Sequence, residues 1–157
     1  MKTTLTAWKF RCADTAEIAA RRLRELARER LLVVYDAATV EWAAGAVRPM
    51  ASQLYPITEV GALGTTFWGR LFGILLFSPQ WDDVNGALSR ALTDQGIDDR
   101  FITHVRDGIM PGTSALFVMS PDGVVEKLRE AFAGQDTPEL TFTTLRRGTE
   151  CGRIAFS

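Results

Sequence analysis

The sequence predicts an α+β fold in a single domain, 1–157. Two observations carry that expectation. Strand-like stretches of period two stand near both ends of the chain, and each terminal strand adjoins a helix with one apolar face. Between the two halves lies a third feature, a glycine-rich segment, residues 61–77, that is apolar on every side. A chain of 157 residues can bury a real core without disulfides or metal.

Residues 4–11 alternate Leu5, Ala7, Lys9 against Thr6, Trp8, Phe10, the pattern of a strand with at least one buried face. Asp14 and Glu17 then form a capping box, in which the carboxylate at the cap accepts an orphan N–H and the glutamate reaches back. Ala16, Ala19, Ala20, Leu23, Leu26 and Ala27 make one small apolar face that lets this helix sit close on a sheet. Its other face carries Glu17, Arg21, Arg22, Arg24, Glu25, Arg28 and Glu29. Interleaved acids and bases at helical spacing read as a solvated, salt-bridged surface rather than an anion site.

Residues 31–35 are expected as a second strand, continued by 39–42 towards a turn at Ala44-Gly45-Ala46. Residues 47–54 return as its hairpin partner. Pro49 cannot donate to a ladder, so this return belongs at an edge. Past Pro56, with Thr58 as cap, begins an inserted helical pair, 58–95.

The first inserted helix is the glycine-rich one. It aligns Gly61, Thr65, Gly69 and Gly73 in a small-residue stripe and spreads Leu63, Phe67, Trp68, Leu71, Phe72, Leu75 and Leu76 over the rest. Pro79 ends it, and residues 81–93 follow as an amphipathic helix with Val84, Ala87, Leu88, Ala91 and Leu92 on one side. Gly96-Ile97-Asp98 breaks the chain, and 99–108 is a helix with Phe101, Ile102, Val105 and Ile109 inward. Pro111-Gly112 is a turn, and 113–119 a short strand of the fully buried kind. Ser120-Pro121-Asp122 opens a helix whose inner face is Val124, Val125, Leu128, Ala131 and Phe132 and which stops at Gly134. Residues 140–145 alternate as a last strand, and 154–156 add a short one.

The order strand-helix-strand at each end is a ferredoxin-like split βαβ plan with an inserted β-hairpin return and a glycine-rich helical insertion. The first and last helices cover one sheet face. The other face is left for the inserted helix or for a second subunit.

Three stretches taken in order, residues 61–77, Gly96-Ile97-Asp98-Asp99-Arg100-Phe101-Ile102, and Pro111-Gly112-Thr113-Ser114-Ala115-Leu116-Phe117, resemble an uncharacterised bacterial family, the domain-of-unknown-function family numbered 1269. The resemblance spans most of the chain. It implies a predicted membrane protein with a hairpin of two glycine-rich apolar helices, and it brings no activity, cofactor or catalytic residue. This chain departs from that pattern in its second segment, which holds Asp82, Asp83, Asn85, Arg90, Asp94 and Gln95.

Membrane insertion is also opposed by length and charge. At about 1.5 Å per residue, residues 61–77 cover about 25 Å, short of the ~30 Å hydrocarbon core. Arg70, near the middle, costs roughly 2.5–3.5 kcal/mol there. The N-terminus has no apolar run and cleavage site of a secretory signal, so a cytoplasmic location is expected, with inner-membrane association as the alternative. Cys12 and Cys151 then stay reduced.

Chemistry-bearing residues are few. His104 is the only histidine, and the two cysteines stand far apart, so no metal constellation and no cofactor is expected. Asp82-Asp83 and Asp98-Asp99 each open a helix, where the dipole favours carboxylates. A net charge of −1 gathers no nucleic acid. Ferredoxin-like sheets can stack RNA bases on surface aromatics, here Trp8, Phe10 and Phe117, but no basic surround accompanies them.

The expectation is therefore a non-enzymatic self-associating module, a homo-oligomer formed through Gly61, Thr65, Gly69, Arg70, Gly73 and Phe77. Two alternatives stand beside it. One is a membrane-associated stress-type protein. The other is a protein binding a small apolar ligand or haem in a pocket of Phe67, Trp68, Phe72 and His104.

Overall fold

The computed structural model describes residues 3–54, 68, 71, 72, 75, 96, 97, 99–132 and 139–145. In chain order the elements are β1 (Thr3–Phe10), α1 (Thr15–Arg28), β2 (Asp36–Glu41), β3 (Met50–Gln53), α2 (Asp99–Gly108), β4 (Ser114–Pro121), a 3-10 turn (Asp122–Val124), α3 (Val125–Phe132) and β5 (Glu139–Leu145). The fold is α+β. Its five strands form one sheet in the order β3-β2-β4-β1-β5. Every ladder is antiparallel, so β1 and β2, both paired with β4 between them, run parallel to each other.

Both faces of the sheet are buried. On one, Trp8, Phe10, Leu116 and Val118 meet Ala16, Ala19 and Leu23 of α1 and Leu128 and Phe132 of α3. The alanines of α1 bring that helix close, as their spacing predicts, and Phe132 stands edge-on to Trp8 with centroids 5.1 Å apart. On the other face, Leu5, Ala7, Ala38, Phe117 and Met119 meet Phe101, Ile102 and Val105 of α2, together with Trp68, Leu71, Phe72 and Leu75. Phe117 lies in register between Ala7 and Ala38, and the two small neighbours leave room for Phe72 to meet it edge-on at 5.3 Å. The second face is thus covered within the chain. Eight consecutive buried residues in β4 follow from this double covering.

Several expectations meet the structure differently. Residues 31–35 are not a ladder strand; β2 begins at Asp36. Leu32 and Val34 are buried and Leu31 and Val33 exposed, so the alternation is real. The chain here is still crossing from the end of α1 to the sheet, and only Tyr35 N–H, bonded to Met119 O at 2.8 Å, joins the neighbouring strand. The return strand is short, Met50–Gln53, because Pro49 stands immediately before it, and it forms the edge beyond β2.

The capping box does not form. Asp14 occupies the cap position without a side-chain cap bond; the Ala16 N–H instead donates to Ser114 Oγ of β4 at 3.0 Å. That hydroxyl donates to Cys12 O at 2.6 Å, tying the β1–α1 loop to β4. α3 is entered through the 3-10 turn rather than directly from Pro121. The expected helix 81–93, the stop at Gly134 and the short strand 154–156 lie outside the described residues.

Candidate functional site

Gly61, Thr65, Phe67, Gly69, Arg70, Gly73 and Phe77 lie outside the described residues. Trp68, 3% exposed, stacks on Phe72 at 5.7 Å, and both are enclosed by the sheet's own side chains. Trp68 Nε1 donates to Asp36 Oδ2 at 3.1 Å, while Asp36 Oδ1 accepts the Ala37 N–H at 2.9 Å. His104 is exposed on α2, at the flank of the face made by Phe101, Ile102 and Val105. Trp8, Phe10 and Phe117 are core residues and offer no face to a base. Cys12 is an exposed thiol. Among the described residues no group of three His, Cys, Asp or Glu could hold a metal ion, and no helix is long and apolar enough to cross a membrane.

A site that the sequence alone did not single out lies elsewhere. Between α1 and strands β2 and β3 lies a groove of about 240 Å3. Its wall is one face of α1, Glu17, Ala20, Arg21 and Arg24, at the three- and four-residue spacing that aligns helical side chains. Thr39 and Glu41 of β2 floor it, with Ser52 of β3 and Leu54 just beyond. Thr39 and Ser52 are register partners, so their hydroxyls stand side by side on one face.

Charge is separated along the groove. At one end Glu41 is half-buried; burial pushes its carboxyl above the usual value, and the carboxylates of Glu17 and Asp14 push it the same way. At the other end is Arg24. Arg21 pairs loosely with Glu17 at 3.8 Å, both side chains largely in solvent, a contact worth little. The expected salt-bridged surface of α1 is present in this pair and in Arg22–Glu25 at 3.6 Å. Its pattern of Glu17, Arg21 and Arg24 was legible; that Thr39, Glu41 and Ser52 stand opposite it was not, because strand register decides that.

These observations define an α+β protein with an antiparallel sheet clothed on both faces and a polar groove at one edge. The chain belongs to the family described as Protein of unknown function (DUF1269), whose model matches residues 62–151. No curated protein and no solved structure matches it. The described residues that line the groove all precede the matched region.

Proposed function

We propose that the protein is a self-associating, non-enzymatic binding or assembly module of ferredoxin-like plan, cytoplasmic, with the segment 61–77 as its contact surface. The strand order supports the ferredoxin-like reading: β5, β1, β4 and β2 stand as in a split βαβ sheet, and β3 extends it at one edge.

One observation carries the self-association reading, the docking of Trp68, Leu71, Phe72 and Leu75 on the sheet of their own chain. Their spacing spends one side of the segment inside the domain. Helical spacing in the sequence, at about 100° per residue, would put Arg70, Gly73 and Phe77 on the opposite side, with Gly69 on the flank. Glycine there admits a close neighbour, and a second copy would bring a like surface, closed by twofold symmetry. Asp82 or Asp83 is the carboxylate that would meet Arg70 across such a contact.

The same docking weighs against a bilayer. A span needs apolar side chains on all sides, and four large ones are already used against the sheet.

Light scattering behind a sizing column in detergent-free buffer tests this. The expected result is a soluble peak at a multiple of the chain mass, shifted towards the monomer by Gly73→Leu with unchanged circular dichroism. A monomer at every concentration, or recovery only in detergent, overturns the reading. Visible absorbance in the peak would favour the apolar-ligand alternative instead.

A further inference from the structure

The groove between α1 and the β2–β3 hairpin has unmet polar groups at both ends and in its middle. Thr39 is 8% exposed and lines the groove, yet among the described residues its hydroxyl has no hydrogen-bond partner. A buried hydroxyl without a partner is costly, and protein interiors rarely keep one. The Glu41 carboxylate, which faces the negative Glu17 and Asp14, makes no hydrogen bond or ion pair among the described residues. Among the described residues Arg24 likewise enters no ion pair.

We propose that this groove binds a short zwitterionic peptide, a dipeptide or a molecule of that class. Its ammonium sits between Glu41 and Glu17, its carboxylate at Arg24, and its central amide on the Thr39 and Ser52 hydroxyls. The charges of the groove choose the orientation. An ammonium relieves the crowding of carboxylates at the Glu41 end, and a guanidinium fork matches a carboxylate at the other.

Length selects within the class. Glu17 and Arg24 are seven residues apart on α1, about 10 Å at ~1.5 Å per residue. An extended dipeptide spans at most about 7 Å at ~3.3–3.6 Å per residue, a distance that the two side chains close by leaning inward. A single amino acid spans half of that and leaves a gap about twice as wide. The volume, about 240 Å3, is below the ~300–1,000 Å3 of drug-sized sites. Among the described residues Ala20 and Leu54 supply its apolar surface, which suits an apolar side chain near the carboxylate end.

The site does not depend on self-association. Its variants are expected to keep the oligomeric mass of the wild type, so failure of either reading leaves the other standing.

The test is titration of the full chain with glycyl-leucine, its N-acetyl form and its C-terminal amide, followed by backbone amide NMR. The zwitterion is expected to give saturable shifts at Thr39, Glu41 and Ser52. Either capped form should bind about tenfold or more weakly, as should the zwitterion to Arg24→Gln or Glu41→Gln. Thr39→Val should weaken binding while leaving the melting temperature unchanged or raised, which separates loss of the site from loss of the fold. Absence of saturable shifts, equal affinity for capped and free peptides, or unchanged affinity in both charge variants overturns the proposal.

Discussion

Trp68 Nε1 donates to Asp36 Oδ2 at 3.1 Å, joining a buried indole of the segment before α2 to the first residue of β2. Asp36 is 2% exposed, and its other oxygen accepts the Ala37 N–H. Asn at this position keeps the size but offers one acceptor where two donors call. Asp36→Asn is therefore expected to cost about 1–3 kcal/mol, read from the urea midpoint at constant slope. Trp68→Phe removes the donor and should be destabilising as well.

The start of α1 is held from a distance. Ser114→Ala removes the acceptor for Ala16 N–H and the donor to Cys12 O at once. The expected cost is about 1–2 kcal/mol, that of a lost cap. Asp14→Ala, which removes no cap bond, should stay within about 0.5 kcal/mol. Parallel chemical denaturation of the two variants checks the contrast.

At the other end of α1, Arg30 has φ 61°, and its N–H bonds to Ala27 O while Leu31 N–H bonds to Leu26 O. This is a Schellman closure with arginine where glycine is usual. A left-handed non-glycine residue costs roughly 1–2 kcal/mol, partly offset by the entropy that glycine loses on folding. Arg30→Gly is expected to stabilise the fold by about 0.5–1 kcal/mol, seen as a higher denaturation midpoint.

Glu41 predicts a pH dependence. Its carboxyl, raised by burial first and by Glu17 and Asp14 next, holds a proton in the folded state to higher pH than its ordinary value of 4.5. In the interval above 4.5 the folded state binds more protons than the unfolded one, so stability falls as pH rises through it. Glu41→Gln removes that contribution. Its melting temperature should exceed wild type at neutral pH, and the difference should shrink as pH falls through the interval above 4.5 and vanish below it.

Much of the secondary structure was legible. The alternation of Leu5 and Ala7 against Trp8 and Phe10 is that of β1, and the alanine-rich face of α1 is the one that packs on the sheet. The Asp99–Gly108 helix carries Phe101, Ile102 and Val105 inward as its spacing predicts. Pro111-Gly112 is a turn closed by Thr113 N–H on Met110 O, with Gly112 at φ 87°. The misreadings share one cause. Residues 31–35 alternate like a strand, and Asp14 with Glu17 spells a capping box, but each alternative depends on a group far along the chain.

The sequence by itself determined the α+β class, the helical faces and the edge position of the hairpin return, because periodicity, proline and glycine act through the local backbone. Tertiary structure alone decided three further things. It placed Ser114 rather than Asp14 at the start of α1, and Thr39 beside Ser52 under Arg21 and Arg24. It also turned Trp68, Leu71, Phe72 and Leu75 towards their own sheet. A segment apolar on every side has no preferred direction until a surface is offered to it, and the small Ala7 and Ala38 beside Phe117 make that surface.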